Sequence, residues 1–394
     1  MTSTTEHKAT PIEQRDTPLV FPVEHPQHPL VAPATAGRAG IRVAARALPG
    51  MQKEALCAYG PSGTVWRMVC DEGPYLNGTD LAPPPLAFFS AGMAAYTASA
   101  LRREAARQEC ELTDLHIIQD NKYTMEGSAL RGTMIAGALP VGLTIDAEVS
   151  DGRAGLPDLV RDALVLSPVD ALMRDKLVDT FSITLNGEQI PTGKVVDSPA
   201  PVPEPPAALF DESDQPQADM FPEPLIAKLS STDSVFEANH GAGAALKDQQ
   251  KRELHIRSDL HLRSDGLKQI RVQIFKPIGS VFQFLADDPP QAGSSGRAPT
   301  GLTYLSAGLA FCFMTQIGRY ADIAKKQVDS YSVIQDTLFD PVAGKTLPVD
   351  THTYLETPES ADTARHIVDM AEQTCFLHGA CRTSNKTRIR IKDL

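Results

Sequence analysis

The sequence predicts an α+β protein made of two tandem units, each an antiparallel sheet with a long central helix. Two observations carry this prediction. A stretch of the first part of the chain, residues 71–96, recurs without a gap as residues 287–312, with Ser-Ala-Gly at the same place in both. Each copy also follows short runs of alternating apolar and polar residues, the pattern of half-buried strands. Repetition of a whole α+β unit explains both observations.

The elements follow the same order in both copies. The runs "IRVAARAL" and "TVWRMVCD" predict strands before the first copy, and "QIRVQIF" and "SVFQFLAD" predict strands before the second. A long apolar helix then begins behind a proline, which a first helical turn tolerates. More strand-like runs, a shorter amphipathic helix and a last strand complete each unit. Aligning the shorter helices places Ser167, which we expect to be a helix cap, opposite Cys375.

Composition divides the chain into four segments. Residues 1–37 are rich in Pro, Thr, His and charged side chains and predict a disordered tail, because they bury too little apolar surface to offset the entropy of ordering. Residues 38–190 form the first unit, here called the N-terminal half. Residues 191–247 have the proline and acid content of an extended linker. Residues 248–394 form the second unit, the C-terminal half.

The net charge of -12 argues against nucleic acid or an anionic membrane as a partner, because such surfaces repel an acidic protein that lacks a basic patch. Residues 1–37 contain no apolar run of signal-peptide length, so we expect a cytoplasmic location. The longest apolar run, residues 85–101, is shorter than a membrane span and contains Ser, Gly and Thr. It therefore favours a buried helix.

Two of the six cysteines occupy repeated positions in the C-terminal half and are missing together from the N-terminal half. Cys312, on the long helix, lies opposite Tyr96, and Cys375 lies opposite Ser167. Joint loss is expected if the two thiols act as a pair. Paired thiols suit peroxide chemistry: a thiolate attacks the O–O bond to give a sulfenic acid, and a second thiol condenses with it to a disulfide that a reductant resets. The alternative is that Cys312 is a small apolar residue in a helix interface, with Tyr96 filling the same space in the other half.

An attacking thiol must ionise near neutral pH, which requires a cation or hydrogen-bond donors nearby. On the helix face below Cys312 lie Thr315 and Gln316, and one turn further lies Arg319. The preceding strands offer three more candidate arginines: Arg257, Arg263 and Arg271.

Cys375, His378 and Cys381 form a C-x-x-H-x-x-C pattern at the second helix. A protonated His378, one helical turn from Cys375, would lower the pKa of that thiol. The three side chains also offer soft ligands to zinc, although a fourth ligand is missing. We disfavour the zinc interpretation and predict neither a metal nor a cofactor. Two interpretations of His378 stay equally open: it tunes Cys375, or it is an ordinary surface histidine.

These features together resemble the OsmC/Ohr family of osmotically inducible and organic hydroperoxide resistance proteins. The resemblance covers both halves, and it excludes the tail and the linker. It assigns the peroxidatic role to Cys312, because "LSAGLAFCF" is similar to the phrase around the family's reactive cysteine, and the resolving role to Cys375. It also implies that the two halves form an intramolecular pseudo-dimer, like the family's intertwined homodimer, with the site at their interface. Whether two chains pair further is left open.

One departure concerns the activation of the thiol. The family's hydroperoxidases carry a glutamate ahead of the reactive cysteine that holds the activating arginine, whereas this chain has Leu302 and Thr303 there. A cysteine without that pair is still a nucleophile, but toward a different electrophile.

The leading hypothesis is a thiol-dependent oxidoreductase that reduces organic hydroperoxides or a related small electrophile, with a small-molecule substrate and a thiol reductant as its partners. Its candidate catalytic residues are Cys312, Cys375, His378 and Gln316. Two alternatives stay open. One is a cysteine-nucleophile desulfurase or hydrolase that acts on a small organosulfur or acyl substrate, and the other is a non-enzymatic binding or scaffold protein.

Overall fold

The computed structural model describes residues 10–23, 30–33, 37–150, 152–211, 216, 222–232, 250–289 and 296–392. These residues contain seven α-helices: α1 (Pro85–Arg107), α2 (Leu156–Val165), α3 (Pro168–Arg174), α4 (Ala207–Asp211), α5 (Gly301–Ala324), α6 (Ala361–Thr374) and α7 (Phe376–Cys381). They also contain eighteen strands: β1 (Val20–Pro22), β2 (Ala39–Ala47), β3 (Lys53–Tyr59), β4 (Thr64–Cys70), β5 (Leu112–Gly127), β6 (Ile135–Ala138), β7 (Gly142–Val149), β8 (Thr180–Leu185), β9 (Glu188–Ile190), β10 (Val196–Asp197), β11 (Ile226–Ser230), β12 (Gln250–Leu262), β13 (Lys268–Lys276), β14 (Ile278–Ala286), β15 (Ser330–Asp340), β16 (Lys345–Thr346), β17 (Asp350–Glu356) and β18 (Arg388–Ile391). Among the described helices, none combines the length and the apolar character needed to cross a bilayer.

The strands form two sheets, and each sheet combines strands from both halves of the chain. The first sheet has the order β1-β4-β3-β2-β15-β17-β8-β10, with β16 beside β15 and β9 beside β8. The second has the order β11-β14-β13-β12-β5-β7-β18, with β6 beside β5. The halves join where β2 pairs antiparallel with β15 and where β5 pairs antiparallel with β12.

This exchange differs from the prediction of one antiparallel sheet per unit in two respects. The strands just before a long helix lie in one sheet and those just after it lie in the other, because a helix of 23 or 24 residues carries the chain about 35 Å. In addition, β17 pairs parallel with β8, and β7 pairs parallel with β18. The α+β class with long buried helices is confirmed, but apolar periodicity does not specify which sheet a strand joins.

The long helices α1 and α5 pack against each other at the centre, α5 on the first sheet and α1 on the second. Repeated glycines allow their close approach. A Cβ atom on Gly92 would lie 2.5 Å from the carbonyl oxygen of Gly301, and a Cβ atom on Gly308 would lie 2.6 Å from the backbone nitrogen of Phe89. No side chain fits at such distances, so the helix crossing explains the Ser-Ala-Gly phrase in both copies.

Parts of the two segments predicted to lack regular structure pair with the sheets. β1 lies beside β4 with Val20 and Phe21 buried, and β11 lies beside β14. In α4, the ring of Phe210 is buried under the guanidinium of Arg46 at 4.5 Å. Composition averages over a segment and misses such short apolar anchors. Other parts of the predicted tail and linker lie outside the described residues: 1–9, 24–29, 34–36, 212–215, 217–221 and 233–249.

Candidate active site

Cys312 lies in the middle of α5 and lines a cavity of about 360 Å³. Thr315, Gln316 and Arg319 line the same cavity from the next two turns, as their spacing predicts. The N-terminal half contributes Glu72, Tyr75, Leu76, Pro85 and Leu86. Strands β12 and β13 contribute Lys251, Arg252, Glu253, Leu254, Phe275 and Lys276. The cavity is therefore built from both halves of the chain.

Cys375 is buried directly before α7 and interacts with the thiol of Cys312. Burial disfavours its thiolate, yet the Cys312 thiol, the charge on His378 and the N–H groups of Leu377 and His378 outweigh burial and bring the pKa of Cys375 to about 7. The sulfur does not form a regular cap hydrogen bond. At the equivalent position, the hydroxyl of Ser167 accepts the N–H of Asp170 at 3.2 Å and caps α3, which confirms the predicted cap.

His378 connects Cys375 to a buried carboxylate. Its Nδ1 atom lies 2.7 Å from Oδ2 of Asp179, which directly precedes β8. The rings of Phe181 and Phe313 flank the imidazole, with centroids 5.3 and 5.4 Å away. Burial disfavours the imidazolium, but Asp179 and the Cys375 thiolate outweigh burial and raise the pKa of His378 to about 9. His378 is therefore charged at neutral pH.

The thiol that faces the cavity is the protonated member of the pair. Burial raises the pKa of Cys312 well above its usual value, and the adjacent Cys375 thiolate raises it further. Both cysteines are free, so no disulfide bond joins them. The thiol with the lowered pKa is thus Cys375, which does not line the cavity, and not Cys312, which does. Cys375 is therefore a candidate base for the Cys312 proton.

A buried carboxyl group that sequence reasoning missed also borders the cavity. Glu72 accepts hydrogen bonds from the hydroxyl of Thr315 at 2.7 Å and from the hydroxyl of Tyr75 at 3.3 Å. Burial raises the pKa of Glu72, although Lys53 and both hydroxyl groups oppose this shift.

The repeat held a signal for this group. Alignment of the halves places Thr315 opposite Ser99 and Glu72 opposite Asp288, and Ser99 donates to Asp288 at 2.5 Å. Asp179 is the other residue that the sequence did not reveal. Nothing in the sequence around it distinguishes it from an ordinary aspartate before a strand.

Arg319 is 7% exposed and lines the cavity two turns after Cys312. Its Nη1 atom lies 3.8 Å from the sulfur of Met125. Its Nε and Nη2 atoms are buried and have no hydrogen-bond partner among the described residues. Burial and the nearby Arg252 lower the pKa of Arg319 to about 10, which leaves it charged at neutral pH.

The equivalent positions of α1 are filled differently. The guanidinium of Arg103, opposite Arg319 in the repeat, lies over the ring of Tyr96 at 4.9 Å and donates to its hydroxyl at 3.0 Å. Arg103 is exposed, and the adjacent cavity measures about 60 Å³. The Tyr96 side chain thus fills space on α1, whereas the equivalent residue on α5, Cys312, borders the larger cavity.

The three arginines proposed from the preceding strands do not line the cavity. Arg257 binds Asp120 through two hydrogen bonds, and Arg263 binds Glu223. The cavity receives Arg252 instead, from the start of β12, where Lys251, Glu253 and Leu254 also line it.

Cys375, His378 and Cys381 do not gather their ligand atoms as a metal site would. In the described part of the chain, one group of three such side chains has its ligand atoms within 4.8 Å of one another, namely His116, Asp259 and His261 on β5 and β12. His378 instead uses Nδ1 to bind Asp179.

The fold and the site together define an α+β protein with a buried two-cysteine centre beside a mixed polar and apolar cavity. Residues 293–390 match the family model described as OsmC-like protein. The matched residues include Cys312, Cys375 and His378.

A comparison with solved structures matches the chain to an OsmC-like hydroperoxide resistance protein from Jannaschia sp. CCS1. The two chains share 23% sequence identity, with a TM-score of 0.22. The similarity covers 32% of this chain and 87% of that one. No curated protein matches the chain.

Proposed function

We propose that the protein is a thiol-dependent peroxidase that reduces organic hydroperoxides at Cys312, with Cys375 as both base and resolving thiol. The observation that carries this proposal is the interaction of Cys312, which lines the cavity, with the buried thiol of Cys375, whose pKa is lowered to about 7. The OsmC-like family is associated with hydroperoxide reduction, which supports the same reaction class.

In the proposed first step, the sulfur of Cys312 attacks the terminal peroxide oxygen and the O–O bond breaks. The proton of Cys312 passes to the Cys375 thiolate, and the substrate leaves as an alkoxide that takes this proton to become an alcohol. Cys312 is then a sulfenic acid. His378, held in its charged form by Asp179, stabilises the thiolate of Cys375 before and after the transfer.

In the second step, the Cys375 thiolate attacks the sulfur of the Cys312 sulfenic acid and displaces hydroxide, which takes a proton from solvent to become water. The product is a disulfide between these two residues. A dithiol reductant then exchanges with the disulfide, is itself oxidised to a disulfide, and returns both cysteines to thiols. Gln316 lines the cavity close to Cys312 along α5 and supplies an amide for orienting the peroxide.

We further propose that the chain is a tandem duplication in which residues 38–190 and 248–394 form an intramolecular pseudo-dimer with one reactive site. Equivalent contacts support this proposal: Gly92 and Gly308 at the helix crossing, and the pairs Thr315–Glu72 and Ser99–Asp288 beside it. The N-terminal half would then complete the cavity of the C-terminal half without a cysteine pair of its own.

The test is peroxide consumption by purified protein with a dithiol reductant. Cys375→Ser should stop multiple turnovers, because the Cys312 sulfenic acid is no longer resolved and its proton acceptor is gone. Cys110→Ser, a half-buried cysteine outside the cavity, is the matched control and should retain turnover. Unchanged turnover by Cys375→Ser would refute the two-thiol mechanism.

A second candidate function keeps Cys312 as the nucleophile but consumes no reductant. The hydrogen bonds to Glu72 come from Thr315 and Tyr75, so the glutamate–arginine pair of the family's hydroperoxidases is not reproduced by this acid. Cleavage of a small thioester, with formation and hydrolysis of a Cys312 acyl-enzyme, is the corresponding reaction. Turnover of a thioester without a reductant, together with no peroxide consumption, would favour this candidate.

A further inference from the structure

Two donor atoms of the Arg319 guanidinium, Nε and Nη2, have no acceptor among the described residues. The side chain is 7% exposed, it lines the cavity, and both atoms lack a partner. A buried charged donor without an acceptor destabilises a protein, because its lost hydration is not replaced. Such an arrangement persists where a bound molecule supplies the acceptor.

The same two atoms of other arginines in this chain bind carboxylates. Nε and Nη2 of Arg42 bind Asp336 at 2.8 and 2.7 Å, and those of Arg257 bind Asp120 at 2.8 and 3.0 Å. The planar fork of a guanidinium matches the two oxygens of a carboxylate. In Arg319 no side chain of the described residues binds this fork, and Arg319 lines the cavity.

The N-terminal half shows what an internal acceptor looks like at this position. Arg103, opposite Arg319, donates to the hydroxyl of Tyr96. In the C-terminal half, Cys312 takes the place of Tyr96 and has no oxygen, and a cavity of about 360 Å³ lies beside it. The described residues of the C-terminal half supply no oxygen acceptor to Nε and Nη2 of Arg319.

We propose that the cavity binds substrates that carry a carboxylate, held by Nε and Nη2 of Arg319, with the reacting group at Cys312. Cys312 and Arg319 lie seven positions apart in α5, which sets their Cα atoms about 10 Å apart along the helix. The carboxylate must therefore lie several bonds from the reacting oxygen, as in a para-substituted aryl acid. Lys251 and Arg252 add positive charge to the lining, while Glu72 and Glu253 add carboxyl groups.

This inference rests on the proposed function for the identity of the reacting group, but not for binding of the carboxylate. The binding test uses isothermal titration calorimetry of the full chain with 4-isopropylbenzoate and its methyl ester, neither of which has a peroxide. The acid should bind about tenfold or more tightly than the ester. Arg319→Gln should remove this preference, Arg319→Lys should keep part of it, and Arg103→Gln, the matched control, should keep all of it.

The activity test compares 4-(2-hydroperoxypropan-2-yl)benzoate with its methyl ester through the ratio of kcat/KM values. The ratio should exceed about ten in the natural protein and fall toward one in Arg319→Gln. Equal turnover of both hydroperoxides would overturn the inference and leave the peroxidase intact. Arg319-dependent binding of 4-isopropylbenzoate without any turnover would refute the peroxidase and leave the inference intact.

Thermal unfolding separates a binding role from a structural one. Arg319→Gln should unfold at a higher temperature than the natural protein without ligand, because it removes a buried charge that lacks a partner. A large loss of stability would assign the arginine to the fold and overturn the inference. If the variant does not fold at all, equal affinity of the natural protein for acid and ester overturns it, and a preference for the acid supports it.

Discussion

The two central helices carry the same scaffold with different side chains beside it. On α1, Tyr96 and Arg103 bind each other next to a cavity of about 60 Å³, whereas on α5 Cys312 and Arg319 border a cavity of about 360 Å³. At the shorter helices that follow, Ser167 caps its helix, whereas Cys375 interacts with the first thiol. A few differences in side chains therefore distinguish the packed surface of α1 from the candidate active site on α5.

The strongest test of this comparison exchanges both helix positions for serine. Cys312→Ser should lower peroxide turnover by about a thousandfold or more, because the variant loses its nucleophile. Tyr96→Ser should leave turnover unchanged, since Tyr96 does not line the large cavity. Steady-state peroxide consumption measures both. Similar losses in the two variants would mean that the sites are not functionally distinct.

The helix crossing should respond equally on both sides. Gly308→Ala and Gly92→Ala should each lower the free energy of unfolding by about 3 kcal/mol, because the added methyl group meets the backbone of the other helix. Gly155→Ala, at an exposed position with no atom within 4 Å of the added carbon, is the control. Chemical denaturation measures all three. A cost confined to one glycine would break the equivalence of the helices.

The pH dependence should report the Cys375 thiolate. Because its pKa is lowered to about 7, the rate of Cys312 oxidation in a single turnover should fall about tenfold per unit below pH 7 and level off above it. His378→Gln should move the midpoint upward, since the cation is lost. Stopped-flow thiol titration measures the profile, and an unchanged midpoint would exclude His378 from tuning the thiol.

The upper end of the pH range should report His378. Its pKa is raised from the usual 6.5 to about 9, so the stability that its charge contributes is complete below pH 6.5 and is lost as the pH rises through about 9. Asp179→Asn should remove this loss because the main partner of the imidazolium is gone. Unfolding curves at several pH values check the result, and a loss of the same size in Asp179→Asn would contradict the assignment.

The smallest effect is expected where Tyr96 and Arg103 bind each other on α1. Tyr96→Phe should lower the free energy of unfolding by about 0.5 to 1 kcal/mol, because Arg103 loses one partly exposed hydrogen bond but keeps the ring. Thermal denaturation checks this value. No measurable change would show that the exposed Arg103 gains nothing from the hydroxyl.

The repeat, the long apolar helices and the helical spacing of Cys312, Gln316 and Arg319 were readable from the sequence. Their common cavity follows from that spacing. The joint absence of both cysteines from the N-terminal half predicted that Cys312 and Cys375 act as a pair. The roles assigned to these residues remain predictions.

Long-range pairing was beyond the reach of local patterns. The sheets exchange strands between the halves, and this exchange positions Glu72 and Asp179 at the site from distant parts of the chain. The sequence also did not reveal which of Cys312 and Cys375 has the lowered pKa, because the pKa depends on burial and on which donors face each sulfur. Neither quantity is encoded in residue spacing.

The most direct measurement maps disulfides after the reduced protein is treated with one equivalent of organic hydroperoxide. Digestion without reductant, followed by mass spectrometry, should recover the peptides of Cys312 and Cys375 joined to each other and lighter by two hydrogen atoms. A persistent sulfenic acid on Cys312, a bond from Cys312 to Cys381, or two unmodified thiols would contradict the paired-thiol account.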